Sequence, residues 1–381
     1  MTVRSSLRRE DISFSTALTA AADIATRSPS SHNSQPWGLA YVVSDLGRRR
    51  AAVLCGDTET DAEFLLLAAD RVRELTALPA HHAEMELSCG LYWRLLLRAL
   101  AAQGWIVRAG VMASAADLGV FGLPADWRPL RLVRLERASE QTESLTRLRD
   151  LAEARHTDRG PYLDKPIPSA ILNTLVRRST PSSQRFDIRV LSSEDDRTRF
   201  ARFIARHAGR DFTHPAAWRE THSFIRRSEA EAQERGDGFT FEHLFGPLSP
   251  RETLLRRIAL APITMRALRA TGFPRILAGQ LAALVRHSPA VLMLSLPETT
   301  ADDDEMLAAG QLLTDFWLLA TDVGLVLHPI SVVIQHADLL ARLRTDFSMA
   351  GRVFFVARLG YSTQQFPPSP RRDPAASLRA L

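Results

Sequence analysis

SPSSHNSQPW, Ser28 to Trp37, decides how this chain is read. It follows an Ala-rich stretch that reads as a helix and runs straight into GLAYVV, which reads as an apolar strand. A plain connection needs one capping or turn residue, such as Ser30 or Ser31 as a cap or Asn33 as an Asx turn before Pro36. Four serines, a histidine, an asparagine and a glutamine exceed that need, and point to recognition of a ligand with donors and acceptors along one edge. His32 by itself reads as structural or cleft-lining.

Working outward, the motif has a partner. RSPSSHNSQPWGLAYVV, from Arg27, resembles RSTPSSQRFDIRVL, from Arg178, with Pro29 and Pro181 152 positions apart. CGLYWRLLLRALAAQGWIVRAGVM likewise pairs with AGQLLTDFWLLATDVGLVLHPISVV, where fourteen positions separate Gly90 from Gly104 and Gly310 from Gly324. The second glycine of each pair stands where a helix C-terminus needs positive φ before a strand. This second offset is 220, so the later copy carries about 68 extra residues, placed around 205–275.

The expectation is an α+β fold, internally duplicated as a pseudo-dimer of two antiparallel-sheet and helix halves, 1–150 and 151–381, with a helical insertion at about 205–275. Strands are expected at WGLAYVV, AAVLCG, WIVRAGVM and LRLVRLE in the first half, and at FDIRVLS, AVLMLSLP, VLHPISVV and VFFVARLGY in the second. Fused halves pack about a pseudo-twofold axis and leave a cleft where ligands bind. The Arg-rich insertion is either a lid over that cleft or a brace on the outside.

The totals fit a soluble globular protein of 381 residues, 45% hydrophobic and 24% charged. No run approaches the ~18 apolar residues of a membrane span, and the first thirty residues lack a signal peptide's apolar core. A cytoplasmic location is expected, with no membrane partner. Cys55 and Cys89, in AVLCG and ELSCG, read as packing residues. The formal charge of +5 is carried almost wholly by arginine, spread along the chain. No nucleic-acid motif accompanies it, so a small anionic ligand is the expected partner.

RHTDRGPYLDKPIP, Arg155 to Pro168, opens the second half. Arg155 and Arg159, four apart on an expected helical turn with Thr157 between them, suit a phosphate, because guanidinium forks give charge-assisted paired bonds. No G-x-S-x-G, H-E-x-x-H or G-x-G-x-x-G is present. DDDE, Asp302–Glu305, reads as a charge-favourable helix N-terminus, and the adjacent His81 and His82 make a poor metal pair. No metal is expected.

SPSSHNSQPW, RHTDR, the G-x13-G helix running into HPIS, and late RLGY followed by SPRR together resemble the nitroreductase superfamily of FMN-dependent proteins. The closer likeness is to long single-chain members with two fused nitroreductase-like halves. That resemblance covers most of the chain and is weakest in the insertion. It implies FMN between the halves. Ser28, Pro29, Ser30, Ser31 and Asn33 match the loop that reaches the flavin from the opposite half. Arg155, His156, Thr157 and Arg159 match the phosphate- and ribityl-binding start. Pro329, Ile330 and Ser331 match the turn whose backbone amides face the ring near N5, and Arg371 and Arg372 the basic residues that close on the phosphate.

On this reading the flavin carries the chemistry, hydride passes through N5, and no side chain is an obligate catalyst. NADH or NADPH is a transient electron donor that shares the substrate's place on the ring, and the substrate is a small conjugated molecule. QRFD replaces HNSQPW in the second copy, so one FMN per chain is expected, in a monomeric pseudo-dimer free to associate further. Two alternatives stand beside this one: a protein that binds or sequesters flavin with little turnover, and a biosynthetic tailoring dehydrogenase that passes electrons to oxygen.

Overall fold

The computed structural model describes residues 13–58, 60–114, 121–138, 141, 143–179, 186–297 and 302–381. The second Pro-Ser-Ser, at 181–183, lies outside the described residues. Two sheets form the frame. The first contains β1 (Trp37–Tyr41), β2 (Glu63–Asp70), β3 (Trp105–Met112) and β4 (Trp127–Arg137); the second contains β5 (Asp187–Leu191), β6 (Ala290–Leu296), β7 (Val326–Pro329) and β8 (Arg352–Gly360). Their strand orders are β3-β4-β2-β1 and β5-β6-β8-β7, so the spatial order reads β1-β2-β4-β3 in one and β5-β6-β8-β7 in the other. All neighbours in these two sets are antiparallel. A short last strand, β9 (Leu378–Ala380), leaves the second sheet's side of the molecule and pairs in parallel with β1.

The helices, in chain order, are α1 (Phe14–Ala25), α2 (Asp45–Leu54), α3 (Ala80–Ala101), α4 (Leu145–Ala154), α5 (Ser169–Ser179) and α6 (Glu194–His207). A run of helices then fills the expected insertion: α7 (Gly209–Thr213), α8 (Pro215–Ser223), α9 (Glu229–Arg235), α10 (Phe241–Phe245), α11 (Pro250–Ala259) and α12 (Pro262–Leu268). After it come α13 (Phe273–Arg286), α14 (Asp303–Asp322), α15 (Ala337–Phe347) and α16 (Pro374–Ser377). No helix among the described residues is long and apolar enough to cross a membrane.

One expected strand is corrected. AAVLCG belongs to the last turn of α2, whose start is fixed by Ser44: its Oγ accepts from Gly47 N at 3.3 Å, and Asp45 lies in the first turn. The strand in that region is EFLLLAAD, nearly all buried, whose continuous apolar run hides the alternation that marks a one-sided strand.

Helices α3 and α14 cross at the centre and couple the two cores. Leu307 and Leu318 of α14 pack with the first sheet's cluster, and Leu87 and Leu91 of α3 with the second's. Gly90 and Gly310 allow the crossing: a Cβ on Gly90 would meet Leu307 O at 2.2 Å, and one on Gly310 would meet Leu87 O at 2.3 Å. Asp302 caps α14 through its carboxylate, and Glu305 reaches back to the Asp302 N–H.

Candidate functional site

Between the sheets lies a cleft of two joined compartments that share Pro29, Ser30, His32, Thr157 and Arg159. The first, of ≈ 100 Å³, is basic and takes in Arg27, Arg155, Arg371 and His156. The second, of ≈ 160 Å³, is a mostly apolar slot between α3, α14 and β8, walled by Leu87, Leu91, Leu313, Trp317, Phe354 and Phe355.

The basic end is built by an extended segment. α4 stops at Ala154, Arg155 takes φ −66° and ψ 120°, Thr157 bridges in parallel to Leu327, and the Asp158 N–H donates to Leu327 O at 3.0 Å. The expected helical turn is therefore replaced by a strand-like edge. Arg155, Thr157 and Arg159 still share one side, because period two does here what an i,i+4 relation does on a helix. Arg358, fully buried, fixes this segment: its Nη2 donates to Gly160 O at 2.7 Å, its Nε to Ser288 Oγ at 2.8 Å, and its guanidinium stacks 4.1 Å over Tyr162.

Three guanidiniums converge here without a carboxylate in ion-pair range among the described residues. Burial lowers Arg155 to about 9, with Arg371 contributing; burial lowers Arg159 to about 10, and lowers Arg371 to about 10 with help from Arg27. All three remain charged at neutral pH. Arg155 donates through Nη2 to Arg27 O at 3.0 Å and lies 4.9 Å over Trp317, leaving Nε and Nη1 buried and unpartnered; Arg371 Nε is also unpartnered. Buried charge without a counter-charge is costly, so this arrangement suits an anion that brings its own.

The loop at 28–37 has a different use for much of its polarity. His32, Asn33 and Gln35 all have positive φ, at 52°, 54° and 53°, an uncommon conformation for side-chain-bearing residues. Asn33 Nδ2 donates to Gly238 O (3.0 Å) and Pro370 O (2.9 Å), while Asn33 Oδ1 accepts from Arg371 Nη1 (2.5 Å). Gln35 Nε2 donates to Gly236 O at 2.7 Å, and Gln35 Oε1 accepts from the Arg372 N–H at 3.0 Å. Thus Asn33 and Gln35 tie the insertion and the C-terminal segment to the cleft. Ser31 Oγ donates to Glu84 Oε2 at 2.6 Å, and Ser30 Oγ accepts from the Gln35 N–H at 2.9 Å.

Of the residues singled out in the sequence, Pro29, Ser30, Ser31, Asn33, Arg155, His156, Thr157, Arg159, Pro329, Ser331 and Arg371 line the cleft. Three do not. Ser28 is buried and donates to Leu91 O at 3.3 Å, and Ile330 sits in the second sheet's outer core with its N–H on Val356 O at 2.7 Å. Arg372 turns to Gln35 O (3.1 Å) and towards Asp70 (3.9 Å). His32, half-buried at the wall of the cleft, is lowered to about 3 by desolvation, with His81 next, so it is neutral.

Unforeseen contributors include the apolar slot, Glu84, and Phe239 and His243 of the insertion. His243 Nε2 lies 3.0 Å from Pro368 O while its Nδ1 accepts from the Thr240 N–H at 3.1 Å, which clamps α10 to the C-terminal segment. His82, Glu86 and Asp303 bring ligand atoms within 4.8 Å of one another, but Arg128 lies among them, paired with Glu86 and, at 3.0 Å, with Asp303. That cluster is an ion-pair network with its cation already present.

No family model matches the chain. Similarity is found to a probable NAD(P)H nitroreductase, PigM of Serratia sp. (strain ATCC 39006), 32% identical over 359 residues, covering 94% of this chain and 92% of that one. Among solved structures, a nitroreductase-like protein from Bacillus cereus covers 62% of this chain and 94% of its own, at 13% identity and TM-score 0.34. The FMN-dependent nitroreductase NfnB from Mycobacterium smegmatis, solved with NADPH, covers 57% and 88%, at 16% identity and TM-score 0.33. On the strength of the relative matched along nearly its whole length, this chain belongs to the nitroreductase family.

Proposed function

We propose that the protein is an FMN-dependent oxidoreductase that moves hydride between NAD(P)H and a small conjugated substrate, with one flavin per chain in the cleft between two duplicated halves, 1–150 and 151–381. The observation that carries this reading is the joining of a basic compartment holding unpartnered, buried guanidinium nitrogens to an apolar slot. A ligand with an anionic tail and a flat apolar body fits both ends. The shared strand order of the two sheets and the reciprocal Gly90–Gly310 crossing support the duplication.

Bound in this cleft, FMN supplies reversible acceptance and release of hydride. The chain's own residues bind and orient. Arg155, Arg159 and Arg371 hold the phosphate by charge-assisted bonds, with Thr157 adding a hydroxyl. Leu87, Leu91, Leu313 and Trp317 exclude water from the slot, which strengthens every polar contact inside it. Ser30 and Ser331 offer hydroxyls where the slot meets the polar loops. The insertion acts as a lid held by Asn33, Gln35 and His243.

Anaerobic addition of NADH or NADPH to the flavin-loaded protein tests the reading. Loss of the flavin's visible absorbance is expected, and its return on adding a nitroaromatic or quinone acceptor. Flavin that binds but stays oxidised with both donors would instead make the protein a flavin binder without turnover.

A further inference from the structure

Outside the cleft, charge and exposed apolar surface coincide on α11 and α12. Residues 250–286 carry seven arginines against the single carboxylate Glu252, although the formal charge of the whole chain is only +5. The rest of the chain is therefore close to neutral, and the basicity that reads as diffuse over the full sequence is concentrated on α11, α12 and α13. None of the residues of α11 is buried. Leu254, Leu255 and Ile258 are 56–66% exposed, and Ile263 at the start of α12 is 84% exposed. On a helix, Leu254, Leu255 and Ile258 fall within one stripe, and Arg251 falls in the same stripe three residues before Leu254.

Beside this stripe lies a second cavity, of ≈ 380 Å³, between α8 and α12. Phe212, Trp218, Ile263 and Met265 supply its apolar walls, and Arg266 and Arg269 also line it. Trp218 Nε1 donates to Leu260 O at 3.0 Å, which ties α8 to the end of α11.

Departing from the expectation of no membrane partner, which rested on the lack of a spanning segment, we infer that the α11–α12 face is a docking surface for anionic phospholipid bilayers, with Leu254, Leu255, Ile258 and Ile263 entering the headgroup boundary and Arg266 and Arg269 meeting lipid phosphates at the mouth of the cavity. Exposed aliphatics flanked by arginine are the composition of helices that lie in a membrane interface, and each basic residue near an anionic surface adds attraction. A second copy of the chain is a poorer occupant, because a twofold contact through this face would oppose two patches of like charge. A nucleic acid would use the arginines but leave the aliphatic stripe in water.

The test is flotation of the full flavin-loaded chain with phosphatidylcholine vesicles, pure or containing about 30 mol% phosphatidylglycerol. Recovery with the anionic vesicles and little with the neutral ones is expected, weakening as salt rises. Both the triple variant Leu254→Gln, Leu255→Gln, Ile263→Gln and the double variant Arg266→Gln, Arg269→Gln should lose about tenfold in vesicle affinity. These side chains are exposed or at a cavity mouth, and unchanged thermal melting and flavin content show that the fold is kept. Absence of flotation with either vesicle overturns the inference, as does flotation that both variants retain. Light scattering that reveals a dimer lost in the triple variant, without vesicle binding, would assign the face to a second copy.

Discussion

Gly90 and Gly310 meet where α3 crosses α14, each facing the carbonyl of the other helix three residues earlier, Leu307 and Leu87. This reciprocity is what a local twofold demands. It also leaves no room for a methyl group, because the obstacles are backbone atoms of two long buried helices. Gly90→Ala or Gly310→Ala is expected to cost about 3 kcal/mol or more, by forcing apart the helices that join the cores. Thermal unfolding should show a fall of several degrees in either variant, whereas Gly279→Ala, on α13 with open space at its Cβ position, should melt like the parent or slightly higher.

Arg155 sets stability against binding. Its folded pKa of about 9 lies below that of an exposed guanidinium, so the unfolded state holds the proton more tightly. The resulting cost is fully present at neutral pH and is relieved only as pH rises above about 9 towards the ordinary guanidinium range. Arg155→Met should therefore raise the melting temperature of the flavin-free protein, by roughly 2–4 °C for each kcal/mol relieved, and lower its affinity for FMN at least tenfold. A variant that melts lower when flavin-free would contradict this account of the site.

Asn33 is expected to act as a staple more than as a ligand group. It bonds Gly238 of the insertion, Pro370 and Arg371 together, so Asn33→Ala leaves several buried partners unsatisfied, at about 1–3 kcal/mol. Limited proteolysis should then cut the 205–275 region sooner than in the parent, and bound flavin should exchange faster. Unchanged cleavage would mean that the insertion is held elsewhere.

Asp211, on α7, gives a pH-dependent check. Burial, with Glu84 next, raises it from 3.8 to about 7, and its Oδ1 lies 3.7 Å from His336 Nε2. A carboxyl whose folded pKa is raised binds the proton more tightly when folded, so its stabilising share is present at low pH and lost as pH rises through about 7. Asp211→Asn should melt above the parent at about pH 8, and the gap should close as pH falls towards 4. A gap that is constant with pH would show that Asp211 does not titrate in this range.

Periodicity and glycine spacing made the frame legible: the G-x13-G helices are α3 and α14, and the four strands expected in the second half are β5 to β8. They failed at AAVLCG, where an apolar helix end resembles a strand, and at EFLLLAAD, where burial on both faces erases alternation. At the site, Arg155, Thr157 and Arg159 were found for a helical reason, yet they share a side through an extended segment. The polar row of SPSSHNSQPW stood out, but sequence alone does not separate a side chain that touches a ligand from one that ties Gly236 and Gly238 in place. Arg358 left no signal at all. It sits in a strand, and only the fold brings the Gly160 carbonyl to it.

The most direct measurement is the flavin content of the purified chain, read from its absorption spectrum and from FMN released by acid, after saturation with FMN and removal of excess. One FMN per chain is expected, falling well below one when Arg155 and Arg371 are both replaced by Met. Two per chain, none, or one that both replacements leave in place would contradict a single flavin held at its phosphate by the arginines of this cleft.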